Sequence, residues 1–400
     1  MKNIFEPSSL GTLVLKNRII RAATHEGMGH ADGTPTDDLL KTYRSLSAGG
    51  VGAIITGYVS AKQNGRTFPN MRMFDSDVYV DVYRSINDQL KQYDTPVILQ
   101  IAHGGSRSLS RVTGQEVVSA SPRRKNDYGD RVKEASDTEI RSIIEAFVAA
   151  IVRAKAAGFG GVELHAAHGY LLSEFISPAL NSRKDRWGGS TENRMRIVIE
   201  ILARARREVG AFPILVKLSA HDEHRRGMTE AEAVTIAQML QAAFCDAIEV
   251  SCGCGDFMHT VRMPKVPVDA VLGLMPPYRD LPAYQKRLVR LVAPLLAKVR
   301  KPISNYNVGA AELIKRYVDI PVIVVGGIRS VHDIGTIISE KGIDFVSLSR
   351  PFIIEPDIVN RFQRGQERSR CINCGYCLIG VVANPLRCYY GRVPAGIRQK

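Results

Sequence analysis

No run of about twenty apolar residues occurs anywhere in the chain, which excludes a transmembrane helix. The opening residues, Met1-Lys-Asn-Ile-Phe-Glu-Pro7, have no apolar signal core, so the cytoplasm is the expected compartment. Acidic residues are in deficit, 40 against 54 basic ones, and the formal charge is +14. That balance suits phosphorylated ligands or acidic partners. Nucleic acid is not expected, because the excess is spread along the chain, aromatics are only 7%, and no DNA- or RNA-binding motif is present. There is one tryptophan, Trp187, with no internal repeat and no low-complexity tract. A Gly-rich dinucleotide fingerprint is also missing after the first strand-like run, which counts against a doubly wound sheet.

What the chain does contain is ample apolar material: 400 residues at 45% hydrophobic content can bury a large core. Strand-like runs are expected at Arg18–Ala23, Ala53–Thr56, Val97–Ile101, Gly161–Leu164, Ile214–Leu218, Ala247–Ser251, Val322–Val325 and Phe345–Leu348. Amphipathic stretches separate most of them, for example Asp137–Ala157, which stops at Gly158. Eight alternating units read as an α/β chain folded into a (β/α)8 TIM barrel. His25, Gln100, His165, Lys217, Gly326 and Arg350 then fall at or near C-terminal strand ends, the face on which such barrels carry active sites. The barrel is expected over 1–366, with a long insertion at 252–306 after strand six, and 367–400 form a short Cys-rich C-terminal extension. Within the insertion, Gln285–Lys301 carries six cations and no acid, and its apolar spacing predicts an amphipathic helix interrupted near Pro294.

One segment stands out chemically. His165-Ala-Ala-His168-Gly-Tyr170 places two imidazoles and a phenol within six residues, directly after Gly161-Val-Glu-Leu164. Histidines three apart share a face if a helical turn starts there, and could converge on one substrate oxygen. Tyr170 is a weak acid placed to donate a proton nearby. A bare H-x-x-H is more often structural than catalytic; the longer context decides otherwise.

That context runs through Leu171-Leu-Ser-Glu-Phe-Ile-Ser-Pro178 and on through Asn181-Ser-Arg-Lys-Asp-Arg-Trp-Gly-Gly-Ser-Thr-Glu-Asn-Arg194. It resembles the old yellow enzyme family of NADH:flavin oxidoreductases, and looks most similar to the 2,4-dienoyl-CoA reductase branch. The resemblance extends from Leu15-Lys-Asn-Arg18 to Cys388. It implies an FMN-dependent ene-reductase that takes hydride from NADH or NADPH and reduces an activated C=C bond in an unsaturated carbonyl or thioester. His165 and His168 would bind the oxygen that gains negative charge, and Tyr170 would supply the proton.

For the cofactor, Gly326-Gly327 after strand seven and Ser349-Arg350 after strand eight match the phosphate site that barrels build at those ends. The family pattern assigns Ala23, Thr24, His25, Gln100 and Lys217 to the isoalloxazine ring. Lys217 stands where the family usually has arginine, and gives a point charge instead of a planar fork. His25 replaces the usual Thr or Cys, either as a group titrating near neutrality or as a neutral packing ring. Tyr58 stands where relatives often have a small residue.

Four of the seven cysteines cluster as Cys371-x2-Cys374-x2-Cys377-x10-Cys388. Dienoyl-CoA reductase relatives hold a [4Fe-4S] cluster here, with one more residue before the third cysteine. The spacing leaves iron–sulfur, zinc and a vestigial thiol group all open. Larger relatives continue into FAD- and NADPH-binding domains, whereas this sequence ends twelve residues after Cys388. An electron-transfer protein partner, or a structural cluster, is then expected. Two rival readings are a non-catalytic flavin/Fe–S electron carrier and a barrel lyase or aldolase using Lys217 as its amine.

Overall fold

The computed structural model describes residues 3–222, 224–255, 267–275, 278–296 and 303–390. Eight parallel strands close into a barrel: β1 (Ile19–Arg21), β2 (Ala53–Ile55), β3 (Val97–Ala102), β4 (Gly161–Ala166), β5 (Ile214–Ser219), β6 (Ala247–Ser251), β7 (Val322–Val325) and β8 (Phe345–Leu348). Each pairs with its neighbours, and β8 returns to β1 through Val346 opposite Ile19. This is the (β/α)8 barrel, with every strand on its expected stretch.

Alternation along the strands sorts the core into two shells. Residues such as Ile54, Leu99, Leu164 and Val216 point outward into the large cluster shared with the helices. Ile20, Ile98, Leu215, Ala247, Ile323 and Phe345 point inward and fill the bottom of the barrel. Leu10 and Leu15, from an antiparallel hairpin of Ser8–Leu10 and Leu13–Leu15, plug that end. One layer higher the filling turns polar: Gln100, Glu163, Lys217, Glu249 and Ser347 are all buried. The top is thereby left open for chemistry and the bottom closed for stability.

The outer helices start where capping predicts. Asp137–Ala156 begins at Ser136, whose hydroxyl accepts from the Glu139 N–H while Glu139 returns a bond to the Ser136 N–H. Ser190, Thr229 and Ser330 cap Thr191–Val209, Glu230–Ala242 and Val331–Ser339, each hydroxyl accepting from the backbone N–H three residues on.

Two excursions shape the open face. The segment after β3 contains a short parallel strand pair, Val117–Ser119 with Val132–Glu134. After β6, helices Val268–Leu274 and Ala283–Leu296 are described, the second continuing through Pro294 instead of breaking there. Residues 297–301, including Lys298, Arg300 and Lys301 of the basic segment, lie outside the described residues. The Cys-rich segment folds back over the barrel top. Its Ile379 packs on Ala270 and Leu274 of the excursion helix, and the Leu386 N–H donates to the Glu26 carbonyl at 2.8 Å. No described helix is long and apolar enough to cross a membrane.

Candidate active site

The open end of the barrel holds a cavity of about 1030 Å3. Its floor is Gln100, Lys217 and Ser347 from the polar layer. The Gln100 amide donates through Nε2 to Glu163 Oε1 at 2.6 Å. The Lys217 ammonium is ion-paired with Glu249 Oε2, and the Ser347 hydroxyl donates to Glu249 Oε1. Burial works to neutralise Lys217, yet the Glu249 charge outweighs it and its pKa is raised, so the amine stays protonated. A Schiff-base amine needs the opposite shift. The lyase reading of Lys217 therefore fails on this geometry.

His165 is the penultimate residue of β4 and His168 lies just beyond the strand, but no helical turn joins them. His168 adopts a left-handed backbone, φ 64°, and Gly169 another, φ 74°; the helix Leu171–Ile176 starts only after Tyr170. A Cβ on Gly169 would collide with the Cys254 carbonyl, which is why glycine is required there. The turn brings the imidazoles together edge-on, with centroids 5.1 Å apart, and places Tyr170 4.7 Å from His165. Convergence was expected, but the turn that achieves it is of the other hand.

Both imidazoles are neutral at physiological pH. Burial lowers His168 to about 3 and His165 well below its ordinary value, and the Lys217 charge adds to each. His168 Nε2 meets Ser251 Oγ at 2.6 Å, and the His168 backbone N–H donates to Ser219 Oγ at 3.1 Å. His165 is 4% exposed and its Nδ1 has no partner among the described residues.

Tyr170 donates its hydroxyl hydrogen to Tyr58 Oη at 3.2 Å, and Tyr58 meets Thr67 Oγ1 at 3.1 Å. Arg107 covers the Tyr170 ring at 6.0 Å and reaches the Gly255 carbonyl. His25 stacks between Tyr58 and Phe68, at 5.3 and 5.0 Å. Burial brings it down to about 4, so it does not titrate near neutrality and of the two sequence readings only the neutral ring survives. Beside it, Glu26 is held by Arg21 at 2.9 Å and Arg72 at 2.7 Å, which fixes the exit from β1.

At the far end of the cavity lie Gly326, Gly327, Ser349 and Arg350. Gly326 has φ 143°, and a Cβ there would come within 2.7 Å of Asn307 Nδ2. Ser349 Oγ lies 2.8 Å from Thr24 Oγ1, tying the ends of β8 and β1 together. Arg329, not anticipated from sequence, adds a second guanidinium to this end and donates to Ser304 Oγ at 3.2 Å. A glycine cradle with two arginines at one end and a polar floor with an ammonium at the other fits the phosphate and ring of FMN.

Cys371, Cys374, Cys377 and Cys388 all line a second, small cavity. Left-handed residues at Asn373 and Gly375 bend the chain between them. Arg350 lines both cavities, so the thiols lie next to the phosphate end of the main one. Among the described residues no three His, Cys, Asp or Glu side chains converge to hold one metal ion.

A barrel with these features is a flavin barrel in form, and the chain belongs to the NADH:flavin oxidoreductase / NADH oxidase family, whose model matches residues 3–267. It is 32% identical over 391 residues to an NADH oxidase of Thermoanaerobacter brockii, covering 96% of this chain and 55% of that protein. The chain thus spans about half the length of that relative. Among solved structures it is similar to 2-naphthoyl-CoA reductase, with TM-score 0.80 and 23% identity over 96% of this chain and 56% of the other. An old yellow enzyme homologue from Zymomonas mobilis matches with TM-score 0.71 and 22% identity, over 93% of this chain and 96% of the other.

Proposed function

We propose that this chain is an FMN-dependent ene-reductase that uses NADH or NADPH to reduce the activated C=C bond of an enone, enoate or enoyl thioester. The observation that carries this reading is the convergence of His165, His168 and Tyr170 on one wall of a cavity whose other parts suit FMN. When bound, FMN supplies the hydride chemistry. Gly326, Gly327, Ser349 and Arg350 would hold its phosphate. Ala23, Thr24, His25, Gln100 and Lys217 would surround its ring.

The substrate oxygen gains charge as hydride reaches the β-carbon, and neutral N–H donors aimed at it lower the barrier. His165, on the wall of the cavity, would supply one such donor. When Ser251 donates to His168 Nε2, the His168 proton resides on Nδ1, giving a second donor. Tyr170 would turn its hydroxyl proton from Tyr58 to the α-carbon, and Tyr58 with Thr67 forms a hydroxyl chain behind it.

The four thiols ring a cavity instead of meeting at a point, which suits the spread corners of a [4Fe-4S] cube better than a zinc ion. Their position beside Arg350 supports entry of electrons from a partner protein through that cluster as a second route. The test of the cofactor is direct: protein denatured after purification should release FMN in about one equivalent per chain. A colourless protein that cannot be reconstituted with FMN overturns the proposal.

A further inference from the structure

Glu163 and Glu249 lie inside the barrel, each 0% exposed, and touch neither the cavity nor solvent. Period-two alternation puts them there: Glu163 is on the His165 face of β4, and Glu249 stands opposite Lys217 in the β5–β6 register. Glu249 is satisfied on both oxygens, by the Lys217 ammonium and the Ser347 hydroxyl. Glu163 accepts from Gln100 on Oε1, while no donor reaches its Oε2 among the described residues. What Glu163 does meet is the other carboxyl group, Glu249.

Two carboxyl groups hydrogen-bond only if one of them keeps a proton. The charge count agrees. Two carboxylates against one ammonium would leave a net negative charge in a dry core, at a cost of several kcal/mol. The next cation, Arg21, is committed to Glu26, and His165 above is neutral. Because Glu249 is bound to the ammonium, the proton belongs on Glu163. Burial and the Glu249 charge both raise the Glu163 pKa, in the same direction.

We propose that Glu163 is a neutral acid donating its proton to Glu249, so that the floor of Glu163, Glu249 and Lys217 has no net charge and, through Lys217 and Gln100, sets the reduction potential of a flavin bound above it. The second half rests on the FMN reading; the first does not. Glu163 is a positioning residue. It turns the Gln100 amide nitrogen downward, leaving the Gln100 oxygen to face the cavity as an acceptor. By leaving Glu249 ionised it keeps the Lys217 charge opposed, and an opposed cation stabilises added negative charge above it less than a free one.

Infrared spectroscopy of the protein as purified, with or without flavin, tests the proton. At neutral pH the parent-minus-Glu163→Gln difference spectrum should show a protonated-carboxyl carbonyl band, which separates Glu163 from Glu174, another buried carboxyl raised by burial. A difference spectrum without that band overturns the proposal. Potentiometry of the flavin-loaded protein tests the consequence. Glu163→Gln replaces an acid O–H by an amide N–H with no change of charge, so the potential should stay near that of the parent. Glu249→Gln leaves Lys217 unopposed and should shift the potential upward. An upward shift of equal size in Glu163→Gln would mean that Glu163 was ionised. If Glu249→Gln does not fold, the infrared band and the Glu163→Gln potential still decide. A failure to bind flavin is read separately by the released-FMN assay.

Discussion

Tyr170 donates its hydroxyl hydrogen to Tyr58 across 3.2 Å, and Tyr58 is buried, stacked on His25 and bonded to Thr67. The acid proposed for catalysis is therefore held by a second phenol until a substrate takes its proton. Burial raises the Tyr58 pKa well above its usual value, so this phenol stays protonated and orients Tyr170 without competing as a base.

Tyr58→Phe removes that acceptor while keeping the ring. One hydrogen bond of this kind contributes about 1 kcal/mol, so alkene reduction should slow by roughly 3- to 10-fold. Flavin reduction by NAD(P)H should be unaffected, as followed by stopped-flow absorbance. A loss as large as that of Tyr170→Phe would make Tyr58 itself the donor.

Acid should destabilise the fold from mild pH downward. Burial lowers His25 to about 4, His103 and His168 to about 3, and His165 well below the usual histidine value. In the unfolded chain each titrates near 6.5 and takes up a proton that the folded state refuses. Their contribution is complete above about pH 6.5 and falls by about 1.4 kcal/mol per group per pH unit below it, until the folded values are reached. Glu163 and Glu174, both raised, oppose this with fewer protons. Denaturant unfolding at about pH 6.5 and 5.0, where the four histidines outweigh the two carboxyls, measures the slope, and equal stability at the two would contradict the neutral histidines.

Gly326→Ala should cost flavin, not only stability. Its φ of 143° is strained for any other residue, and the added Cβ meets Asn307 and Tyr306. Strain of about 1–3 kcal/mol corresponds to FMN binding weaker by roughly 5- to 150-fold. Gly158→Ala, also at positive φ (75°) but with open space around it, is the control. It should lose stability while retaining flavin.

Anaerobic reconstitution with iron and sulfide should give about four irons per chain, since four thiolates hold the cube. Cys377→Ser, at the buried member of the set, should lose most of that iron while the FMN content is kept. Stoichiometric zinc in place of iron would reverse the assignment.

The strands were legible because each is an apolar run bounded by turn residues, and Gly161-Val-Glu-Leu164 is followed by its histidine in plain view. The same alternation put Glu163 on the inner face with His165, yet its chemistry was not, because its partners come from β3 and β6. Lys217 was legible as a cation at a strand end; that Glu249 opposes it follows from barrel register, which no local pattern encodes. His168 was misread as helical because the only signal of its left-handed turn was Gly169 beside it. Arg329 stood next to a recognised motif but its reach into the cavity depends on the turn after β7. The return of the cysteine segment over the barrel top is set by contacts more than a hundred residues apart, Ile379 with Ala270 among them.

The central claim, that Tyr170 delivers a proton to an alkene reduced at this site, is tested most directly by separating the half-reactions of Tyr170→Phe. The flavin-loaded variant is reduced anaerobically with NAD(P)H, then mixed with a small cyclic enone, and flavin absorbance is followed in each step. Reduction should proceed at nearly the parent rate, while reoxidation by the enone should slow by about 100-fold or more. Equal damage to both steps, or an unchanged rate with the enone, would contradict the account.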